Sequence, residues 1–234
     1  MFIVYRVCFI LILFGFLFLA GCVQSGDLVA ATNLPAPTLT VATEPPEAQP
    51  TTPGESDYYY YVDGVRVSLT PSFDWVSVKF VSDDPLLQAD VLKNYGNLLM
   101  PLDQALNIPL PPVTLLRLRE GIAPQEFADL LDVMRQDKNG FLQAAPVFYA
   151  EDVDLVMTDE FIAAFPAGIS QLEIDEVNSR QGVELVKPVL GQENTFVLRV
   201  TDVRTRDALS MANWYQESGL VLHAAPNFLR IKTK

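Results

Sequence analysis

The stretch that decides the fold occurs twice, as VTLLRLREGIAPQEFADLLDVMRQDKNGFLQAAPVFY (113–149) and as TFVLRVTDVRTRDALSMANWYQESGLVLHAAPNFL (195–229). Each copy runs from an apolar segment with an arginine near its end, Arg117 or Arg199, through a polar turn into an amphipathic segment. A glycine and a second apolar segment follow, and both copies close on Ala-Ala-Pro with a Phe two positions later. These landmarks, repeated in order, predict an internal duplication in which each copy forms strand, helix, strand.

The halves upstream of these stretches match more loosely. Residues 69–81 and 157–165 each place a threonine and a short polar turn ahead of a segment that alternates like a strand. A helix is predicted after each, over 85–95 and over 170–181. The second copy then offers a strand at 183–189, so its predicted order is strand, helix, strand, strand, helix, strand.

That order is the split βαβ, or ferredoxin-like, unit. In the second copy Ser170 can cap the helix with Glu173 at the capping-box position, and Gly182 can end it. The first copy is irregular, because residues 98–112 hold four prolines and its second strand must be short or displaced. We therefore predict an α+β fold of two tandem ferredoxin-like units, at 58–149 and 150–234.

The N-terminal 21 residues are typical of a signal peptide. Arg6 precedes an apolar run over 7–20, and a run of about 14 residues is short for a membrane span. The run ends in LAGC at 19–22, which resembles the lipobox of bacterial lipoproteins. The resemblance implies a lipid on Cys22 and an extracytoplasmic protein anchored to the cell membrane. An uncleaved anchor helix is the alternative, and it leaves the location outside the cytoplasm unchanged.

Residues 22–57 are rich in proline, threonine and alanine and have no apolar periodicity. This composition predicts a disordered, extended linker with partial polyproline character. At roughly 3 Å per residue such a linker reaches up to about 100 Å from a bilayer. We expect it to provide reach, with recognition left to the folded part.

Composition argues against several classes of function. The formal net charge is −13, and an acidic surface repels nucleic acid. The two cysteines are Cys8, inside the leader, and Cys22, so a processed chain has no pair for a disulfide or a zinc cluster. Stability must therefore come from the core.

The sequence contains no recognisable catalytic pattern. Its only histidine, His223, lies in a predicted strand without a serine-protease signature, and no Gly-rich phosphate loop or set of metal ligands is present. The carboxylates at 151–154 and at 159–160 are expected in solvated turns. We predict a non-enzyme with no cofactor, no metal and no small-molecule substrate.

The exported part resembles the N-terminal propeptide of bacterial subtilisin-like serine proteases of the fervidolysin type, over about residues 58–229. The resemblance lies in an ordered series of segments: YYYY (58–61), LTPS (69–72), WVSVKF (75–80), LVMTDEF (155–161), GVELV (182–186), NTFVLRV (194–200) and APNF (225–228). It implies a ferredoxin-like unit that packs on a protease while its C-terminal tail runs through the active-site cleft like a substrate. Such a propeptide chaperones folding and then inhibits.

In that family the protease follows the propeptide, whereas here only five residues follow Leu229. The resemblance therefore implies an inhibitor or chaperone that acts in trans on a subtilisin-like serine protease. Two other hypotheses stay open: a structural or adaptor envelope lipoprotein, and the remnant of a protease gene without its catalytic domain. An extended tail that adds a strand beside the substrate site is the physical basis of inhibition. The candidate protease-binding tail is Phe228, Leu229, Arg230, Ile231, Lys232, Thr233 and Lys234.

Three features have two interpretations each. The tail is either this binding segment or a frayed basic end. His223 is either a pH sensor for partner release or an ordinary strand residue. The tyrosine run 58–61 is either a binding platform or an edge strand whose rings cover the core of the first unit.

Overall fold

The computed structural model describes residues 58–109, 112–150 and 152–232. The predicted signal peptide and linker, and with them Cys22, lie outside the described residues. The described part is a mixed α+β structure with more strand than helix, and its sheets are antiparallel, which confirms the predicted class.

Twelve strands and four α-helices make up the described part. The strands are β1 Tyr59–Val62, β2 Val65–Ser68, β3 Thr70–Phe80, β4 Leu106–Pro109, β5 Pro112–Arg117, β6 Phe141–Ala150, β7 Val153–Val156, β8 Glu160–Ala164, β9 Val183–Pro188, β10 Thr195–Val200, β11 His223–Pro226 and β12 Leu229–Ile231. The helices are α1 Pro85–Leu92, α2 Pro124–Gln136, α3 Gln171–Arg180 and α4 Ala208–Glu217.

The first sheet has six strands in the order β12-β7-β6-β3-β5-β4. Its four strands from the first copy, β3 to β6, alternate with α1 and α2 along the chain as strand, helix, strand, strand, helix, strand. The proline-rich stretch yields β4, a strand of four residues at the sheet edge, which agrees with the prediction of a short strand. Strands β7 and β12 extend the sheet on the opposite side.

The second sheet has four strands in the order β11-β8-β10-β9. Along the chain β8, α3, β9, β10, α4 and β11 repeat the order of the first copy. The predicted cap of α3 is confirmed: the Ser170 hydroxyl accepts from the Glu173 amide, and Glu173 accepts from the Ser170 amide at 2.8 Å. Gly182 follows with a φ of +65°, which favours glycine.

Each sheet packs its helices on one face. In the first unit Val76, Leu116 and Ala144 from the sheet meet Phe127 and Leu131 of α2 in one buried cluster. The second unit forms an equivalent cluster, in which sheet residues contact residues of α3 and α4 that include Ile174, Met211 and Tyr215. Burial of these apolar side chains is what stabilises each unit.

A continuous two-stranded ribbon joins the two sheets. Strand β7 leads into β8 through residues 157–159, and β11 leads into β12 through 227–228. Strands β7 and β12 pair in the first sheet, while β8 and β11 pair in the second. The Thr158 hydroxyl donates to the Asn227 carbonyl oxygen at 2.8 Å within the connecting segments. The last strand of the chain therefore belongs to the sheet of the first unit.

The ribbon corrects one expectation for the acidic residues. Asp154 lies in β7 with only 5% of its surface exposed, and Glu160 is the first residue of β8. Neither is in a solvated turn. Strands of four or five residues that contain a carboxylate resemble turns in sequence, because alternation over so few residues is a weak signal.

Strands β1 and β2 form a separate hairpin. Its turn consists of Asp63 and Gly64, with φ of +50° and +75°, as a two-residue hairpin turn requires. The hairpin packs beside α4, where the Asn213 side-chain amide donates to the Tyr59 carbonyl oxygen at 2.8 Å. It thus ties the start of the described chain to its second half.

Candidate protein-binding surfaces

The predicted protease-binding tail is folded into the first sheet. Leu229, Arg230 and Ile231 form β12 and pair with residues 154–156 of β7. Arg230 and Lys232 are exposed, whereas Leu229 and Ile231 pack against the apolar residues on the helix-free face of the sheet. Thr233 and Lys234 lie outside the described residues.

Phe228 is half-buried at the start of the tail. Its ring centroid lies 5.8 Å from that of Tyr60 and 6.1 Å from that of Phe148, both in edge-to-face arrangement. Such aromatic pairs contribute about 0.5–1.5 kcal/mol beyond their burial. Asn227, just before it, donates its backbone amide to the Glu160 carbonyl oxygen of β8 at 2.9 Å and accepts from the Thr158 hydroxyl. The tail in this state is therefore held at both its start and its middle.

Strand β12 stands at the end of its sheet. It pairs with β7 on one side, and on its other side no strand follows it in the described part of the chain. A strand edge offers unpaired backbone N–H and C=O groups to another chain. The tail is thus an available edge as well as a folded element.

The tyrosine run divides between two roles. Tyr58 and Tyr60 turn inward, with the Tyr58 ring 5.2 Å from Phe148 in edge-to-face contact, and both contribute to one apolar cluster. Tyr59 and Tyr61 turn to the other side and donate hydrogen bonds to the Glu217 carboxylate at 2.8 and 3.0 Å. The inward pair covers an apolar cluster that contains Phe148, and the strand that carries Tyr60 belongs to the separate two-stranded hairpin.

His223 is the first residue of β11 and pairs with Ala164 of β8. It is half-buried, as an ordinary strand residue would be. No group of three histidine, cysteine or carboxylate residues within residues 58–109, 112–150 and 152–232 is arranged to hold a metal ion. Over the same residues, every helix is too short or too polar to cross a bilayer.

An ionic cluster lies where the two sheets meet. Arg199 of β10 donates to Glu160 at 2.8 Å and to Glu184 at 3.0 Å, and it lies 3.8 Å from Asp159. The hydrogen bond to Glu160 raises the pKa of Arg199, so this side chain is always charged. Lys79 of β3 approaches Asp159 from the first unit at 3.9 Å. The cluster thereby joins charges from both copies.

A cleft of about 350 Å³ opens beside this cluster. Residues from both sheets line it: Lys79, Val113, Gln143, Asp159, Glu160 and Arg199. A second depression of about 490 Å³ adjoins it and shares Lys79, Gln143, Asp159 and Arg199. Volumes in this range are typical of binding clefts.

This cleft is not predictable from local sequence patterns. Lys79, Gln143 and Asp159 are far apart in the chain, and only the folding of the two sheets brings them together. Gln143 is the one residue with a visible signal, since a glutamine interrupts the apolar segment FLQAAPVF at 141–148. A polar residue at a buried strand position calls for a partner.

Comparisons with known proteins identify no relative. No protein-family model matches the chain, and neither a curated protein nor a solved structure matches it.

Proposed function

We propose that each half of the described chain is a ferredoxin-like unit. Numbered within its own copy, the first sheet orders β6, β3, β5 and β4 as 4-1-3-2, and the second sheet orders β11, β8, β10 and β9 identically. Both copies keep the strand, helix, strand, strand, helix, strand sequence that the ferredoxin-like unit has. This agreement supports a duplicated unit, with β7 and β12 as additions to the first sheet.

We further propose that the protein is a non-catalytic, lipid-anchored extracytoplasmic lipoprotein that binds a subtilisin-like serine protease in trans and inhibits or chaperones it. The observation that carries the proposal is the tail, an edge strand formed by the last described residues of the chain. An edge strand can pair with the substrate-binding strand of a protease by strand addition. The resemblance of residues 58–229 to subtilisin propeptides selects this class of partner.

The position of β12 defines two ways in which the tail can act. In the first, β12 stays on β7 and offers its outer edge to the protease. In the second, Phe228 and β12 leave β7 and enter the active-site cleft alone. The second mode gives up the pairing with residues 154–156 and the aromatic contacts of Phe228.

The test is inhibition of purified subtilisin-like proteases by the full chain in detergent micelles. We expect slowed hydrolysis of a peptide substrate at micromolar chain, and loss of this effect when residues 228–234 are deleted. A chain with Arg230→Ala serves as the matched control, because it keeps the backbone of β12. Undiminished hydrolysis at all concentrations would contradict the proposal.

A paired-cysteine variant distinguishes the two modes. Arg230 and Leu155 are opposite each other in the β12–β7 register, so Arg230→Cys with Leu155→Cys allows a disulfide that locks the tail. Inhibition that survives oxidation indicates an added strand. Inhibition that appears only after reduction indicates that the tail must leave β7.

Attachment through Cys22 is tested separately. In a lipoprotein-processing bacterium we expect Cys22→Ser to abolish lipid incorporation and release the protein from the membrane fraction, because each buried methylene contributes about 0.8 kcal/mol. Cys8→Ser is the control and should leave the mass of the mature protein unchanged. Equal membrane retention of both variants would favour the uncleaved anchor helix.

A second candidate is an adaptor lipoprotein, favoured by the pairing of the tail with β7 in the free chain. In that case the chain binds envelope proteins through surfaces other than the tail. Cross-linked complexes that persist after deletion of 228–234 and contain no protease would support the adaptor.

A further inference from the structure

Gln143 is an unusual residue of the cleft. It lies in β6 with 7% of its surface exposed, and its side-chain Nε2 has no hydrogen-bond partner among the described residues. A buried donor without a partner destabilises the folded state. Buried polar groups without partners are rare and call for an explanation. Gln143 lines both depressions of the cleft, although its Nε2 is itself covered in the free chain.

Two neighbouring groups have hydrogen-bonding capacity to spare. The Lys79 Nζ and the Asp159 Oδ2 are 3.9 Å apart, which is longer than a hydrogen bond. Arg199 Nε is 3.8 Å from the same carboxylate, also too far. Lys79 and Asp159 are thus ion-paired without a hydrogen bond between them, so each can still bond a ligand, and Gln143 adds an unpaired donor in the wall of the cleft.

The charge of the cleft favours a neutral ligand. Lys79 and Arg199 balance Asp159 and Glu160 in the smaller depression, although the chain as a whole carries −13. The two carboxylates would repel a simple anion, and the two cationic side chains would repel a simple cation. A neutral group that contains both an acceptor and a donor fits all of them, and the peptide amide is such a group.

We propose that this cleft binds a short extended segment of another protein through its backbone. The Gln143 side-chain amide turns toward the segment and donates to one of its carbonyl oxygens, and a neighbouring backbone N–H donates to Asp159. The aliphatic side chain of Val113 provides the apolar part of the wall. This site is separate from the tail and stands whether or not the partner is a protease.

The test uses the full chain in detergent micelles with ¹⁵N-labelled glutamine side chains, followed by NMR. The probe is N-acetyl-tetra-alanine amide, and the matched probe is N-acetyl-tetrasarcosine dimethylamide, which has carbonyl groups but no N–H. We expect saturable shifts of the Gln143 amide, with a dissociation constant on the order of 1 mM for tetra-alanine. The tetrasarcosine probe should bind about fivefold more weakly, because one hydrogen bond is missing.

Two variants separate binding from folding. Because Gln143→Met removes the reporting amide, its binding is followed from the line broadening of the tetra-alanine methyl signals. It should weaken tetra-alanine binding about fivefold or more while the melting temperature stays the same or rises, since an unsatisfied buried donor is removed. Asp159→Ala should weaken tetra-alanine but leave tetrasarcosine unchanged. Gln192→Met, in an exposed turn, is the control and should alter neither.

Three results would overturn the proposal. The first is equal affinity of both probes for the unaltered chain. The second is unchanged tetra-alanine binding by Gln143→Met. The third is a shift of the Gln143 resonance that grows linearly with probe and never saturates.

Discussion

The two units share a strand order but differ in how their sheets end. The second sheet stops at four strands, with β11 at its edge. The equivalent strand of the first unit, β6, is covered by β7 and then by β12, so it lies inside a sheet of six. The final strand of the chain thus completes the sheet of the first copy. A simple duplication would give two separable units, whereas the pairing of β7 and β12 with the first sheet interlocks them.

The repeated Ala-Ala-Pro motif illustrates the difference. Pro226 pairs with Phe161 in an edge strand, where a missing N–H is easily tolerated. Pro146 pairs with Val76 inside the larger sheet, next to a register shift between Pro71 and Val76. The same residues are therefore accommodated by edge position in one unit and by an irregular register in the other.

The largest expected effect comes from removing a core ring in either unit. Phe148→Ala and Phe161→Ala each delete a fully buried side chain, so each should lower the free energy of unfolding by about 3–5 kcal/mol. Leu142→Ala, on an exposed position of β6, is the control and should cost much less.

Denaturant unfolding followed by tryptophan fluorescence and by circular dichroism measures these losses. Because the ribbon interlocks the units, we expect a single transition with coincident midpoints for both probes in all variants. Separate transitions for the two units would contradict the interlock.

Deletion of residues 229–234 tests directly whether β12 completes the first sheet. It removes the partly buried Leu229 and Ile231, so we expect a loss of about 2 kcal/mol. Local opening should speed amide hydrogen exchange in β7 and β6 more than in β9 and β10, where only exchange through global unfolding becomes faster. No extra acceleration in β7 and β6 would mean that β12 does not complete the first sheet.

Helix caps provide a smaller contrast between equivalent helices. Asp207 caps α4 by accepting from the Ser210 amide at 2.8 Å, whereas Ala123, at the start of α2, has no side-chain acceptor. Asp207→Ala should cost about 1 kcal/mol, and Ala123→Ser should gain up to about 1 kcal/mol. Thermal unfolding of the two variants checks the opposite signs, and shifts in the same direction would contradict the assignment of the caps.

The smallest effect at neutral pH concerns two tyrosines. Burial raises the pKa of Tyr215 in the second unit, and burial with a hydrogen bond to Asp137 raises the pKa of Tyr95 in the first. As the pH rises, these phenols ionise in the unfolded chain before they ionise in the folded protein. Their contribution to the free energy of unfolding is therefore complete below about pH 10 and is lost above that pH.

Melting temperatures measured from pH 8 to pH 12 check this alkaline decline. Tyr95→Phe and Tyr215→Phe should each make the alkaline fall of the melting temperature shallower, and by comparable amounts if the two units are coupled. A decline that neither variant changes would contradict the role of these phenols.

Local patterns predicted the elements well, and long-range pairing was what they missed. The capping box at Ser170, the glycine stop at Gly182 and the short proline-rich strand β4 follow from neighbouring residues alone. Strands β7 and β12 are four and three residues long, and they pair across most of the second copy. Nothing in such short segments indicates which distant strand they join.

The candidate sites likewise combine features that local sequence patterns predict with features that only the folded chain brings together. The tail was found because it follows the second repeat, but its docking on β7 depends on the whole second unit folding back. The cleft around Gln143 needs Lys79 from the first copy and Asp159 from the second, so no single segment contains its signal. A buried glutamine in an apolar strand was the only local indication.

The proposed function depends on binding of a serine protease by the C-terminal strand β12. The most direct measurement is hydrogen–deuterium exchange of the full chain in micelles, with and without a subtilisin-like protease inactivated at its nucleophile. We predict a change in exchange concentrated in residues 227–232, with α1 and α3 unaltered. Identical exchange along the chain with and without micromolar protease would contradict this binding mode.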